Sequence, residues 1–149
     1  MVKNKVYAHS LLIFRRDLRL HDNHALNAAL RQSQNVFSCF ILDKTLLDKI
    51  GSNLPRVQYL LNALQELDAA LREHGSQLHV VYGKPVDAIQ QLQTTFKADA
   101  VFFHRDISPY AIRRDTALQA HCEKCGINFH VIDDITLHPP EQTLKADGT

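Results

Sequence analysis

The chain predicts a three-layer α/β domain: a five-stranded parallel sheet in the Rossmann-like order 3-2-1-4-5, covered by helices on both faces. Three observations carry this expectation. Five short apolar runs alternate with amphipathic stretches, the rhythm of parallel strands joined by crossover helices. Prolines stand near the starts of several amphipathic stretches and glycines just past their ends, an asymmetry that helix termini favour. The first apolar run, Ser10-Leu11-Leu12-Ile13-Phe14, empties at once into Arg15-Arg16-Asp17-Leu18-Arg19-Leu20-His21-Asp22-Asn23. That puts charge at a sheet edge, where each ion needs a partner or a ligand and where α/β proteins bind.

In chain order, strands are expected at Ser10–Phe14, Val36–Leu42, Leu78–Tyr82, Ala100–His104 and Asn128–Ile132. After the charged turn, Asp22 or Asn23 can cap a helix whose inner face is Ala25, Leu26, Ala29 and Leu30. A longer helix follows the second strand. Ser52 or Asn53 is its cap, Pro55 lies near its first turn, and Gly75 stands past its end. Val57, Leu60, Leu61, Leu64, Leu67 and Leu71 recur along it at helical spacing. Gly83-Lys84-Pro85 opens the next helix, with Ile89, Leu92 and Phe96 inward, and Ser108-Pro109 opens the last, closed by Gly126. Right-handed crossovers around a central first strand produce the order 3-2-1-4-5.

At 149 residues this is one domain, long enough to withdraw about 68–70% of its unfolded surface from water. With 17 Lys and Arg against 16 Asp and Glu, the net charge of +1 provides no electrostatic footprint for nucleic acid. No signal-peptide core is visible, and no apolar run approaches the roughly 20 residues of a membrane span, so no membrane contact is expected. Three cysteines, an odd number, exclude a closed disulfide framework and point to a reducing cytoplasm. Residues 138–149, beginning His138-Pro139-Pro140, read as the start of a connector to something further.

In this order the loops leaving strands one and four part to opposite faces, and the gap between them is the default pocket. Arg15, Arg16 and Asp17 reach its rim from one side, and His104, Arg105, Asp106, Ile107 and Ser108 from the other. Strand two ends nearby with Phe40, Ile41, Leu42 and Asp43. An apolar wall beside a few fixed charges suits a flat conjugated ligand with a polar edge.

Several motifs here resemble one family. Phe14-Arg15-x-Asp17-Leu18-Arg19-x-x-Asp22-Asn23 looks like the opening of the DNA photolyase and cryptochrome family. His104-Arg105-Asp106-Ile107-Ser108-Pro109-Tyr110-Ala111-Ile112-Arg113-Arg114-Asp115 is similar to its Asp-x-x-Pro-Tyr…Arg-Asp segment, and Ser76-Gln77-Leu78 through Gly83-Lys84-Pro85 also follows its habit. The match spans nearly the whole chain. It implies a domain that holds a light-harvesting antenna chromophore and passes excitation to FAD in a larger helical domain, which is absent here. The excited, reduced flavin then splits a pyrimidine dimer flipped out of DNA. On that pattern damaged DNA is met only through the helical domain, and this piece alone is inactive. It has no tryptophan for the family's electron relay.

Carried over residue by residue, a deazaflavin-type antenna pocket uses Arg16, Phe40, Ile41, Asp106, Ser108 and Arg114, with Arg56 and Leu60 near the mouth. Ser108 departs from the pattern, since deazaflavin-type members usually have Glu there. Folate-type members place Asn-Glu where this chain has Tyr110-Ala111, so a folate is disfavoured. FMN or a second FAD in the same pocket, or an empty pocket, stays open, as does a cryptochrome's signalling role.

Plainer readings stand beside these. Asp17 and Arg19 can be an internal ion pair, Arg16 can belong to the same network, and Arg113, Arg114 and Asp115 can form a solvated helix face. Phe40 and Ile41 need no ligand to explain them. Cys122-Glu123-Lys124-Cys125 beside His121 lacks the second ligand pair of a metal site. His104 stands out by ending strand four beside the pocket. Neither a Ser-His-Asp signature, paired catalytic carboxylates nor a Gly-x-Gly-x-x-Gly loop is evident. The chain reads as a holder, not a catalyst; set apart from the resemblance, it fits a free-standing nucleotide- or flavin-binding domain.

Overall fold

A computed structural model describes residues 5–51 and 54–133. The expected caps Ser52 and Asn53 and the connector 138–149 lie outside the described residues. The elements run β1 (Tyr7–Phe14), α1 (His24–Gln32), β2 (Ser33–Asp43), α2 (Lys44–Ile50), α3 (Leu54–Glu73), β3 (Leu78–Gly83), α4 (Pro85–Phe96), β4 (Ala100–His104), α5 (Pro109–Cys125) and β5 (Asn128–Ile132). All strand pairings are parallel, in the order β3-β2-β1-β4-β5.

Alternation along the central strands sorts side chains into two cores. Leu12, Phe14, Phe40 and Phe102 point to one face, where Ala25, Ala28 and Ala29 of α1 and Leu64, Leu67 and Leu71 of α3 cover them. Leu11, Ile13, Cys39, Val101 and Phe103 point to the other, under Ile89 and Leu92 of α4 and Leu118 and Cys122 of α5. Burying each Leu, Ile, Val or Phe among them contributes about 1.5–3 kcal/mol, so the two apolar layers, not the turns, hold the sheet. Inside the first core, Tyr7 donates to or accepts from His130 Nε2 at 2.7 Å, and the imidazole stacks on Phe102 with ring centroids 4.5 Å apart.

The helix starts follow their chemistry. Asn23 caps α1 by accepting from the Leu26 N–H at 2.9 Å, and Ser108 caps α5 by accepting from Ala111 at 3.2 Å. Pro85 and Pro109 occupy the first turns, where a missing N–H leaves nothing unpaired, and Gly126 closes α5 at φ 73°.

Several expectations need correction. Leu30 is 49% and Leu61 40% exposed, because the inner faces of α1 and α3 are filled by Ala28 and by the Leu64–Leu67–Leu71 stripe. β1 begins at Tyr7 rather than Ser10, and β2 runs from Ser33 to Asp43, three residues earlier and one later than expected. Helix α2 was not expected at all: Asp43 caps it, accepting from the Thr45 N–H at 3.0 Å.

Candidate functional site

Between the ends of β1, β2 and β4 and the starts of α4 and α5 lies a cavity of about 260 Å³. Strand order creates it: β1 sends its chain to one face and β4 to the other, leaving a gap above the sheet. Its floor is the last apolar turn of the strands, including Phe40 and Ile41, and its rim carries Arg16, Asp106, Ser108 and Arg114. Six of the eight residues expected at a ligand site therefore meet around one cavity. The other two do not line it: Arg56 is exposed near the start of α3, and Leu60 packs against the core of the opposite face.

The rim is a set of interlocked ion pairs. Arg15 reaches across 100 residues to hold Asp115 with two bonds, Nη2 to Oδ1 at 2.7 Å and Nη1 to Oδ2 at 3.1 Å. Its guanidinium also lies 3.8 Å over the Phe103 ring and donates to the His104 carbonyl at 3.2 Å. Burial pulls the Arg15 pKa below its ordinary value, against the pull of Asp115. Arg114 shares the same carboxylate, Nε to Asp115 Oδ1 at 3.1 Å. So Arg114 and Asp115, at 12% and 15% side-chain exposure, are not a solvated helix face; only Arg113 is.

One atom of this network is left over. Arg114 Nη2 is, among the described residues, the buried side-chain nitrogen without a hydrogen-bond partner. A buried donor left unmade costs about 1–3 kcal/mol, more when charged, and such atoms call for an explanation. An oxygen acceptor brought by a ligand supplies one.

Opposite, Asp106 accepts from the Ser108 N–H at 3.1 Å and faces Arg16 Nε at 3.7 Å. Burial raises the Asp106 pKa, but the Ser108 bond and the Arg16 and Arg114 charges outweigh it and hold it below the usual carboxylate range. Asp43 and Tyr110 close a further side: the Tyr110 hydroxyl donates to Asp43. Burial and that carboxylate push the Tyr110 pKa up to about 12, so it stays a donor. Tyr110, Leu46 and Pro85 line the cavity, and sequence reasoning did not place them there. The Pro85 signal was present, because a proline opening α4 must sit at the strand-end surface; Leu46 depended on the unexpected α2.

On the α1 side of the same loops, Asp17 and His104 form a separate buried cluster. The Ala25 N–H donates to His104 Nε2 at 3.2 Å, which leaves Nδ1 to donate to Asp17 Oδ2 at 2.6 Å. Asp17 also accepts from the Arg15 N–H at 2.8 Å and from Asn23 Nδ2 at 3.2 Å. The expected pairing of Asp17 with Arg19 is thus replaced by His104; Arg19 donates to the carbonyls of His21 and Asp22. His104, singled out as a pocket residue, turns away from the cavity into this cluster. Among the described residues no cluster of metal-ligating side chains occurs, and no helix is long and apolar enough to cross a membrane.

Comparison with known proteins places this architecture. The DNA photolyase family profile matches residues 10–149. A deoxyribodipyrimidine photo-lyase from Synechococcus sp. PCC 6301 is 39% identical over 134 residues, 90% of this chain and 28% of the relative. Cryptochrome-2 of Gallus gallus is 32% identical over 142 residues, 95% of this chain and 24% of the relative. An archaeal photolyase from Sulfolobus tokodaii, solved with two FAD molecules and discussed for a novel light-harvesting cofactor, superposes with a TM-score of 0.81 at 34% identity, over 92% of this chain and 32% of that one. The chain spans a quarter to a half of the length of such curated relatives. With the charged turn of β1, the sheet order and the profile match in agreement, this chain belongs to the DNA photolyase family.

Proposed function

We propose that this domain is the light-harvesting part of a DNA photolyase, and that the cavity above β1, β2 and β4 seats the ring of a flat pigment of deazaflavin or flavin type. The observation that carries this reading is the cavity itself, whose lining brings Arg16, Phe40, Ile41, Asp106, Ser108 and Arg114 together, Arg114 with a buried Nη2 that has no partner among the described residues. A ring carbonyl or phenolate oxygen suits it; Asp106 would take a ring N–H, Ser108 and Arg16 the polar rim, and Phe40 and Ile41 the flat face. At about 260 Å³ the cavity falls just under the roughly 300–1,000 Å³ of ordinary small-molecule pockets, which fits a ring system and not a whole dinucleotide. Bound there, the pigment would supply light absorption and onward transfer of excitation. The archaeal relative with its two FAD molecules supports a flavin-class ligand.

In this reading the parent protein repairs pyrimidine dimers through FAD held in a C-terminal helical domain, to which residues 138–149 lead. That domain is this one's partner and the only contact with damaged DNA. Ile107 and Ile112, 63% and 55% exposed beside the exit of β4, suit a surface covered by such a partner. Three free cysteines fit a reducing cytoplasm. The cryptochrome relatives keep a signalling role as the second reading, which repair activity of the full-length parent separates.

The ring site is tested by titrating the chain separately with a deazaflavin, FMN and a folate and following ligand fluorescence. Deazaflavin or FMN should bind, and the folate should bind weakest, because Tyr110-Ala111 stands where folate-type members have Asn-Glu. Tightest binding by the folate overturns the pocket assignment.

A further inference from the structure

We infer that Cys125, with His121 beside it, is a site of reversible mixed-disulfide formation with a small thiol. The pair lies at the opposite end of the 17-residue α5 from the cavity-lining Tyr110, so the inference is independent of the ring site.

The three thiols of the described chain stand in different surroundings. Cys39 and Cys122 are fully buried in the core beneath α4 and α5. Burial, joined at Cys122 by the neighbouring Cys125 thiol, pushes their pKa values up to about 12 and about 11, so neither supplies a thiolate near neutral pH. Cys125 is exposed. Four residues earlier on the same helix face, His121 brings Nε2 to 3.7 Å from Cys125 Sγ, the reach of a thiol donating to a neutral imidazole nitrogen. A nucleophile touching a base is the arrangement that activates a thiol.

The helix end decides which charge is welcome there. The C-terminal carbonyls of α5 favour a cation and disfavour an anion, so a bare thiolate gains nothing from its position, whereas an imidazolium does. The proton therefore stays within the pair, passing from Sγ to Nε2. Lys124 adds a cation to the same turn, and Glu123 accepts from Gln119 at 3.1 Å. The elements packed on α5 share its core through Ile89, Leu92, Phe129 and Val131, none of which carries a charge.

The exchange balances with a disulfide, R–S–S–R, as the co-reactant. Cys125 Sγ, its proton held on His121, attacks one sulfur; the new S–S bond forms, the old one breaks, and the leaving sulfur takes the proton from His121 as R–SH. Cys125 is oxidised, and one half of the disulfide is reduced to the thiol. Cys122, buried and protonated, does not displace the adduct, which lasts until an outside thiol reverses it. Because Cys122 and not Cys125 anchors this end of α5 in the core, the modification leaves the packing intact.

The test is to add oxidised glutathione to the 149-residue chain and read the adduct at each cysteine by peptide mass spectrometry. At about pH 7 the adduct should form on Cys125, with Cys39 and Cys122 as unreacted controls in the same molecule. His121→Gln should slow the reaction about tenfold or more, as for loss of a positioned base. At about pH 10, where an ordinary thiol of pKa about 8.5 ionises without help, the variant and the parent should react alike. Circular dichroism checks that the variant is folded. Adducts on Cys39 or Cys122 in place of Cys125, equal rates near neutral pH, or a gap that persists in alkali overturn the inference.

Discussion

The loops leaving β1 and β4 build two polar clusters of opposite character. Toward α1, Asp17, Asn23 and His104 are at most 5% exposed, and each is engaged in the hydrogen bonds that join turn, helix and strand. Toward α5, Arg16 is 86% exposed, its carboxylate partner is 3.7 Å away, and Arg114 ends in an unpaired nitrogen. A polar network that satisfies itself rigidifies a fold, whereas one with a donor to spare has capacity for a further partner. The first cluster holds the loops in place, and on the proposed function the second is the one that faces a ligand.

Removing the acceptor of the closed cluster has the largest expected effect. Asp17→Ala strands His104 and the Arg15 N–H and removes one acceptor from Asn23, and should cost about 3–5 kcal/mol in urea unfolding, as for other broken buried pairs. Burial raises the Asp17 pKa, but the bonds from His104 and the Arg15 N–H lower it further, so it lies below its ordinary value. Its stabilisation is therefore complete above the unfolded pKa of about 3.9 and is lost as pH falls through the depressed folded value. The stability gap between the parent chain and Asp17→Ala should narrow below about pH 4; a gap that is constant in acid contradicts this.

On the open side the balance reverses. Arg114→Gln should weaken ring-ligand binding by about ten- to a hundredfold, the worth of one charged hydrogen bond, and should cost less stability than Asp17→Ala, because Arg15 still pairs with Asp115. Large destabilisation with unaltered ligand affinity would exchange the roles of the two clusters. Arg16→Gln should have the smallest effect, under about 0.5 kcal/mol in unfolding, because its long, exposed ion pair gains little in water.

Legibility in the sequence tracked the range of the interactions. β4 and β5 match the expected Ala100–His104 and Asn128–Ile132 residue for residue, and Ser108 and Gly126 bound α5 as expected, since apolar runs and caps are local signals. The short helix α2 escaped because its seven residues show too little periodicity, although Asp43 is an ordinary cap. Leu30 and Leu61 looked like inner-face residues because spacing alone does not say how wide a stripe the sheet will cover. That Arg16, Asp106, Ser108 and Arg114 meet around one cavity was legible from their places after the strands and from the family motifs. Their partners were not.

Sequence by itself determined the parallel sheet, its order and the convergence of two charged turns on one gap, because buried strands must be apolar and crossovers have one hand. Only the tertiary structure decided that Asp17 takes His104, 87 residues away, that Arg15 takes Asp115, 100 away, and that Arg114 keeps a nitrogen free. Charges select partners by distance and burial after the chain has packed, and neither quantity is written in residue order.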